Sequence, residues 1–249
     1  MTSVNYIVSI KNDGEKKELK NQKGSGNNMA IALRHRQQNN QTISIGFSGA
    51  AGIGKTTLVK ELFNYYKKQG LIVDVINEVE RDIFSIYHQT HGVRTLEEMR
   101  LIPELYLMFQ NDVLEIQITR EMRIQEKSPE LLLLDRTVYD NYLYILLYSR
   151  RSDQPELFDR ITKRVYEYLS SQPYQHIIYF LPHGTKNYDE FCSREELNYQ
   201  ETQDMVLRLL TSFSLDRIKW VSTHSLEERF GYLVFLIDSW LKRKNLLPV

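Results

Sequence analysis

The sequence has one cysteine, no net charge and no long apolar run. Because Cys192 has no second cysteine to pair with, an intrachain disulfide and a metal site built on several cysteines are excluded. The longest uncharged apolar runs, such as Leu131–Leu134, are far shorter than the roughly 20 residues that span a bilayer. We therefore expect no membrane partner, and a reducing cytoplasm is the expected compartment.

Neither sign of charge is in excess, since 32 basic residues are matched by 32 acidic residues. This balance does not indicate a surface for a polyanion, so we expect no nucleic-acid partner. The 249 residues are ample for one α/β domain. Residues 11–40 are rich in Lys, Asn, Gln and Gly and show little apolar periodicity. We predict an N-terminal arm or small extension over residues 1–40 and one domain over residues 41–249.

From Thr42 onward, strand-like apolar segments alternate with helical segments. The predicted strands are Thr42–Ser48, Leu71–Ile76, Leu131–Leu134, His176–Leu181 and Arg217–Ser222. The predicted helices are Thr57–Gln69, Leu101–Gln125, Thr137–Tyr148, Pro155–Ser170, Glu195–Ser212 and Leu226–Lys242. This alternation predicts an α/β three-layer sandwich with a mainly parallel five-stranded sheet. In such sheets, ligands bind at the carboxyl ends of the strands.

A phosphate-binding loop stands between the first predicted strand and the first predicted helix. A glycine-rich turn at the start of a helix presents backbone N–H groups to a polyphosphate. Lys55 can reach the β- and γ-phosphates, and the Thr56 hydroxyl can ligate Mg²⁺. We therefore predict ATP and Mg²⁺ as cofactors, and the sequence leaves GTP open as an alternative donor. The residues expected to bind them are Gly49, Ala50, Ala51, Gly52, Ile53, Gly54, Lys55, Thr56 and Thr57.

Asp135 ends the third predicted strand, where a carboxylate can hold Mg²⁺ as the Walker B residue does. ATPases that activate water usually have a glutamate next, whereas this chain has Arg136, which cannot act as a general base. Its planar cation can lie beside the phosphates instead. These two residues favour transfer of phosphate to a bound acceptor rather than to water.

A guanine-specific motif is approached but not matched. Thr185-Lys186 is followed by an aspartate, Asp189, one residue later than the GTPase pattern requires. A GTPase is therefore not favoured.

Glu78 follows the second predicted strand and can face the crevice beside the phosphate-binding loop. Phosphorylation of a neutral alcohol benefits from a base that accepts the hydroxyl proton as charge develops. Glu78 is the candidate for this role, ahead of Glu80, which lies two residues further along. The alternative is that Glu78 only caps the next helix or pairs with Arg81.

These residues resemble those of the deoxynucleoside kinases and the related nucleoside and thymidylate kinase-like P-loop ATPases. The resemblance lies in Glu78, the Phe109-Gln110 pair, the Asp135-Arg136 pair and the segment Ser193–Glu196, in that order. The segments 78–81 and 135–140 are also similar to the Glu-x-x-Arg and Asp-Arg motifs of an AAA-like group that includes nicotinamide riboside kinase relatives.

The resemblance implies roles for three further side chains and a helical lid. Gln110 would hydrogen-bond a base edge of the acceptor, and Arg136 would lie near the reacting oxygen. Arg194 would close over the donor phosphates and exclude water. Alternatives are that Gln110 is a surface polar residue and that Arg194 is a solvated helix start.

The leading hypothesis is a kinase that moves the γ-phosphate of ATP to a nucleoside, nucleotide or similar small acceptor. Lys55, Arg136 and Arg194 would neutralise phosphate charge, and a monophosphate acceptor could be held by Arg81 and Arg100. A regulatory ATPase or nucleotide switch that acts on a macromolecular partner is the second hypothesis. A nucleotide sensor without turnover is the third hypothesis. The sequence does not distinguish a monomer from a homodimer.

Overall fold

The computed structural model describes residues 42–148, 152–171, 173–181, 200–222 and 225–247. The chain divides into a unit Met1–Asn39 and a unit Asn40–Val249, and every described residue belongs to the second unit. That residues 1–40 form a separate arm stays a prediction. Within the described ranges, no helix has both the length and the apolar composition needed to cross a membrane.

Five strands form one sheet with the spatial order β2-β3-β1-β4-β5. All four neighbouring pairs are parallel, which confirms the predicted α/β architecture and makes the described sheet parallel throughout. The central strand β1 is buried along its whole length, as expected where helices cover both faces. The strands are β1 Ile43–Gly49, β2 Val73–Ile76, β3 Leu131–Asp135, β4 His176–Phe180 and β5 Ile218–Val221.

Eight helices accompany this sheet in the described part of the chain. They are α1 Lys55–Lys68, α2 Val79–His91, α3 Leu96–Arg100, α4 Pro103–Glu126, α5 Val138–Tyr148, α6 Pro155–Ser170, α7 Gln200–Thr211 and α8 Leu226–Arg243. A 3₁₀ segment, Ser212–Arg217, joins α7 to β5. The start predicted for α7 at Glu195, and with it the predicted lid, lies outside the described residues.

Helix α3 was not among the predicted elements, and a helix after Glu78, where α2 lies, was considered without bounds. The buried apolar residues of α2 are Val79, Ile83 and Tyr87, spaced four residues apart, and Glu80 is buried beside them. The intervening residues are mostly polar, so the periodic signal is short. Gly92, with φ 71°, takes the left-handed conformation that ends the helix.

Alternate side chains of β3 define the two apolar layers around the sheet. Leu131 and Leu133 pack with Leu62 of α1 and Ile237 of α8 in one cluster. Leu132 and Leu134 belong to a second cluster on the opposite face, with residues of α2 and α4. Because successive side chains of a strand point to opposite faces, one four-leucine run contributes to both layers. The three-layer sandwich is thereby confirmed.

A glycine in the central strand lets the segment after β3 approach it closely. A Cβ atom placed on Gly46 would lie 2.4 Å from the methyl carbon of Thr137, much closer than real contacts allow. The residue in β1 therefore has to be glycine for the turn at Thr137 to pack on this strand. This approach packs the turn after β3 against the middle of β1, next to the paired carboxyl ends of the two strands.

A histidine at the start of β4 is held neutral by its surroundings. The ring of His176 stacks face to face on that of Trp240 in α8, with the ring centres 3.6 Å apart. Burial, with the positive charges of Lys219, Arg243 and Lys244, lowers the pKa of His176 from 6.5 to about 4. The folded protein therefore favours the uncharged imidazole.

Replacement of His176 should make the free energy of unfolding less sensitive to acid pH. Because the pKa of His176 is depressed in the folded state, the stability it contributes is fully present above pH 6.5 and is lost as the pH falls toward 4. His176→Phe keeps a stacking ring but cannot titrate. Urea unfolding between pH 4 and 8 should show a shallower loss of unfolding free energy for this variant than for the wild type. Equal slopes would contradict the assignment, and His91→Phe, at an exposed histidine, is the matched control.

Candidate functional site

The P-loop, residues Gly49–Thr56, connects β1 to α1 at the carboxyl end of the sheet. Its three glycines, Gly49, Gly52 and Gly54, have φ values of 141°, 73° and 87°. These values lie in the region that glycine adopts without strain. A Cβ atom on Gly49 would also lie 2.7 Å from the carbonyl oxygen of Phe180 in β4. The loop therefore has the backbone that the sequence predicts for a phosphate cradle.

Lys55 is the first residue of α1 and lies buried under the loop, with 6% of its surface exposed. Its Nζ donates hydrogen bonds to the carbonyl oxygens of Gly49 at 2.7 Å and Ala50 at 2.8 Å. Burial, reinforced by the nearby charge of Arg136, lowers the pKa of Lys55. An anion bound beside Nζ would favour the charged form of Lys55 and so offset both the burial and the charge of Arg136.

The P-loop is tied to the turn after β3 by one buried carboxylate. Asp140 Oδ1 accepts a hydrogen bond from the backbone N–H of Gly49 at 3.3 Å. Its Oδ2 accepts from the backbone N–H and the hydroxyl of Thr137, at 2.8 and 2.7 Å. Asp140 was given no role in the sequence analysis. The Thr137-x-x-Asp140 spacing, which is that of a capping box, was the signal that could have identified it.

Two further side chains hold the loop from helices that are distant in sequence. The backbone N–H of Ala51 donates to Oε1 of Gln203 in α7 at 3.2 Å. Arg229 of α8 donates through Nη1 to the carbonyl oxygen of Ile53 at 2.6 Å. Neither residue was predicted, because no local pattern marks a contact across more than 150 residues.

Glu78 lies between β2 and α2 and forms ion pairs with two arginines. Its Oε1 pairs with Arg136, and its Oε2 accepts from Nε of Arg81 at 2.9 Å. Burial alone would raise the pKa of Glu78, but the charge of Arg136 and the hydrogen bond from Arg81 hold it below its ordinary value. The pairing with Arg81 that the sequence left open is therefore present. Glu78 is ionised at neutral pH.

Arg136 lies among Glu78, Glu80 and Tyr144, and its backbone conformation is unusual. Its φ of 84° is rare for a residue with a side chain. The guanidinium also lies 3.9 Å from Oε2 of Glu80 and 5.0 Å from the centre of the Tyr144 ring. Burial would lower the pKa of Arg136, but its interactions with Glu78, first of all, and with Tyr144 and Glu80 raise it well above its ordinary value.

Asp135 and Thr56, the predicted metal ligands, lie side by side. The carboxylate of Asp135 accepts a hydrogen bond from the Thr56 side chain, and burial raises the pKa of Asp135. Among the described residues, its Oδ2 has no hydrogen-bond partner although it is buried. An unpartnered carboxylate oxygen beside a hydroxyl is a donor set that suits a hard divalent cation.

The remaining predicted site residues fall in three different surroundings. Gln110 is buried rather than on the surface, and its Nε2 donates to Oε1 of Glu80 at 3.1 Å and to the hydroxyl of Tyr106 at 2.9 Å. Thr57 is exposed on the first turn of α1. Arg194 lies outside the described residues, so its predicted closure over the phosphates stays a prediction.

Removal of the Asp140 carboxylate should loosen the P-loop. Asp140→Ala leaves the buried N–H groups of Gly49 and Thr137 without their acceptor, which costs about 1–3 kcal/mol for each. Asp140→Asn keeps one acceptor oxygen and should lose less. Urea unfolding with and without ATP should show both lower stability and a smaller stabilisation by ATP, in the order Ala, Asn, wild type.

The matched control for this series is Asp159→Asn, at an exposed position on α6. It should leave the unfolding free energy and the effect of ATP unchanged. Wild-type values for both quantities in Asp140→Ala would show that Asp140 does not support the loop.

Comparisons with known proteins agree with this geometry. A family model described as an AAA domain matches residues 44–229. Among solved structures, a NadR protein in complex with NR has a TM-score of 0.56 and 16% identity, over 79% of this chain and 54% of that chain. A NadR protein in complex with NAD and AMP-PNP has a TM-score of 0.52 and 15% identity, over 91% and 60%. No curated protein matches the chain.

The structural likeness shows a shared fold, and the chain spans less than two thirds of either NadR chain. The family match extends from β1 into α8 and so includes every element that contributes to the site. Of the groups that the sequence resembles, the AAA-like one is thereby confirmed. The chain belongs to the family described as an AAA domain, and it is a P-loop protein with the fold seen in NadR.

Proposed function

We propose that this protein is a phosphotransferase that moves the γ-phosphate of ATP to a hydroxyl group of a nucleoside, nucleotide or similar small acceptor. The solved neighbours hold NR in one structure and NAD with AMP-PNP in the other, which supports a nucleotide donor and a nucleoside-like acceptor. Glu78, Arg81, Arg136 and Gln110 are the proposed acceptor-side residues.

The observation that carries this proposal is the Glu78–Arg136 ion pair beside the P-loop. An ionised carboxylate at the end of β2 can accept a hydrogen bond from an acceptor hydroxyl and orient it toward the phosphates. The residue after Asp135 is an arginine already paired with carboxylates, so it cannot activate water. Both features favour a bound alcohol over water as the nucleophile.

Mg²⁺ is the proposed metal, and Thr56 and Asp135 would hold it. The fit rests on the buried Asp135 oxygen that has no hydrogen-bond partner among the described residues, next to the Thr56 hydroxyl. When bound with ATP, Mg²⁺ would neutralise charge on the β- and γ-phosphates. Bound cation would also offset the burial that raises the pKa of Asp135.

In the proposed reaction, the acceptor oxygen forms a bond to the γ-phosphorus. The bond between that phosphorus and the β–γ bridging oxygen breaks, giving ADP and the phosphorylated acceptor. Glu78 takes the hydroxyl proton and then releases it to water. A weak base suffices here, because little negative charge forms on the nucleophile in a loose transition state. Lys55, Arg136 and, by resemblance, Arg194 stabilise the charge on the transferring group.

Loss of the Glu78 carboxylate should impair turnover more than nucleotide binding. We expect Glu78→Gln to lower kcat by roughly 10²- to 10⁴-fold, because the amide loses both the proton acceptor and the ion pair that positions Arg136. The Kd for ATP should change little, because the P-loop is retained. The measurement is ADP release with a panel of nucleosides, nucleotides and NR, together with direct titration of ATP binding.

Two results would contradict the proposal. One is a wild-type protein that releases no acceptor-dependent ADP with any member of the panel. The other is a Glu78→Gln variant with wild-type kcat. The matched control is Glu167→Gln, an exposed glutamate on α6 that pairs only weakly with Lys163 at 3.8 Å.

A nucleotide switch is the second candidate function, and the contact between Ala51 and Gln203 favours it. This hydrogen bond connects the P-loop directly to α7, whose Met205 and Leu209 side chains are exposed by 66% and 69%. A nucleotide that reshapes the loop could therefore move an apolar helix face. ADP release that is the same with and without every acceptor would favour the switch over the kinase.

A further inference from the structure

A buried polar cluster lies behind the turn that carries Arg136. We call it the Glu121 cluster, and it consists of Gln117 and Glu121 in α4, Tyr168 in α6, and Tyr174 ahead of β4. Glu121 is fully buried, and the other three side chains are at most 7% exposed. A carboxyl group in such a place is costly unless donors surround it. None of these four residues has a role in the site described above.

Every partner that the described residues give this carboxyl group is a hydrogen-bond donor. Glu121 Oε1 accepts from Nε2 of Gln117 at 2.7 Å and from the hydroxyl of Tyr174 at 3.2 Å. Glu121 Oε2 accepts from the hydroxyl of Tyr168. An ionised carboxylate only accepts, so this arrangement is the one that the ionised form favours.

Two of these partners also hold the backbone on either side of Thr137. The hydroxyl of Tyr174 accepts from the backbone N–H of Val138 at 2.9 Å. Nε2 of Gln117 reaches the carbonyl oxygen of Arg136 at 3.4 Å. The cluster is thereby connected through single hydrogen bonds to the residue whose backbone takes the rare φ of 84°.

The proton on the Tyr174 hydroxyl would transmit the protonation state of Glu121 to this turn. While Glu121 is ionised, that proton points to the carboxylate and leaves the phenol oxygen free to accept from Val138. Once Glu121 is protonated, its own hydroxyl needs an acceptor, and the phenol oxygens of Tyr168 and Tyr174 are the nearest. Donation to Tyr174 would then compete with the N–H of Val138.

We propose that Glu121, with Gln117 and Tyr174, is a positioning residue that holds the Arg136–Val138 turn in the geometry that phosphoryl transfer requires. The inference rests on the proposed function for its effect on turnover. Its effect on the turn itself is independent of any reaction. An arginine displaced by about 1 Å is enough to slow a transfer roughly 100-fold.

The surroundings of Glu121 place its protonation near neutral pH. Burial raises the pKa of Glu121 to about 7, against the opposing effect of hydrogen bonds from Tyr168, Gln117 and Tyr174. The titratable groups that face it are Tyr168 from α6 and Tyr174 from the segment before β4, and burial raises the pKa of both phenols. The positive charge of Arg164 in α6 opposes part of the rise in the pKa of Tyr168, and Arg164 is itself paired with Glu115.

The direct test is the backbone amide signal of Val138 in the full chain labelled with ¹⁵N-valine. In the wild type, this signal should shift with pH around a midpoint near 7, as Glu121 gains its proton. In Glu121→Gln, which cannot titrate, the shift should vanish. A Val138 signal that does not move with pH, or that moves equally in Glu121→Gln, would overturn the proposal.

The kinetic test separates positioning from simple loss of stability. In the wild type, kcat should fall as the pH drops below about 7, while the KM for ATP stays constant. Glu121→Gln should lower kcat roughly 10- to 100-fold at pH 8 and abolish this acid limb. Tyr174→Phe keeps the carboxyl group but breaks the link to Val138, so it should lower kcat with an unchanged KM for ATP.

The matched control is Tyr142→Phe, which removes the hydroxyl bonded to Thr162 between α5 and α6 without touching Glu121. It should keep the wild-type pH profile and Val138 titration. Wild-type kcat in both Glu121→Gln and Tyr174→Phe would overturn the positioning role. If the wild type transfers phosphate to no acceptor, the proposed function fails, and the Val138 titration still decides whether Glu121 governs the turn.

Discussion

The site depends on contact between the P-loop and the turn after β3, and the carboxylate of Asp140 makes that contact. One oxygen accepts from Gly49 at the start of the loop, and the other accepts from Thr137 at the start of α5. Gly46 makes the contact sterically possible, because the methyl group of Thr137 fills the space where a Cβ atom would be. Residues from two separate chain segments thus share one rigid frame, which is what preorganised phosphate chemistry requires.

Two buried cations in this frame, Lys55 and Arg136, would attract an anion. Lys55 is buried close to Arg136, and each positive charge disfavours the other, which contributes to the lowered pKa of Lys55. Carboxylates on the remaining sides, including Glu78 and Asp135, offset part of this repulsion. A polyphosphate would interact with both cations at once. The same carboxylates would repel it unless they were neutralised, and the ion pairs with Arg81 and Arg136 neutralise the charge on Glu78.

The sequence predicts this frame only where its signals are local. The P-loop and the strand-ending Asp135 are marked by short patterns, and all five strands are marked by apolar runs, so the fold and the centre of the site follow from them. Gln203 and Arg229 could not be found in this way, because they reach the loop across 152 and 176 residues. The partners of Gln110 were missed for a related reason. A glutamine on a helix shows its spacing but not whether a buried carboxylate such as Glu80 faces it.

Arg136 is held both by the sheet and by a charged residue of the site. A side chain at φ 84° costs about 1–2 kcal/mol of backbone strain, so something outside the residue has to maintain it. Its N–H donates to the carbonyl of Phe47 at 3.1 Å, extending the β1–β3 ladder by one bond past the end of β3. The ion pair with Glu78 then draws the guanidinium toward β2. Because the strain is held by the sheet on one side and by charge on the other, a change in either would move the arginine relative to the P-loop. The position of Arg136 therefore depends on the pairing of β1 with β3 as well as on the ion pair with Glu78.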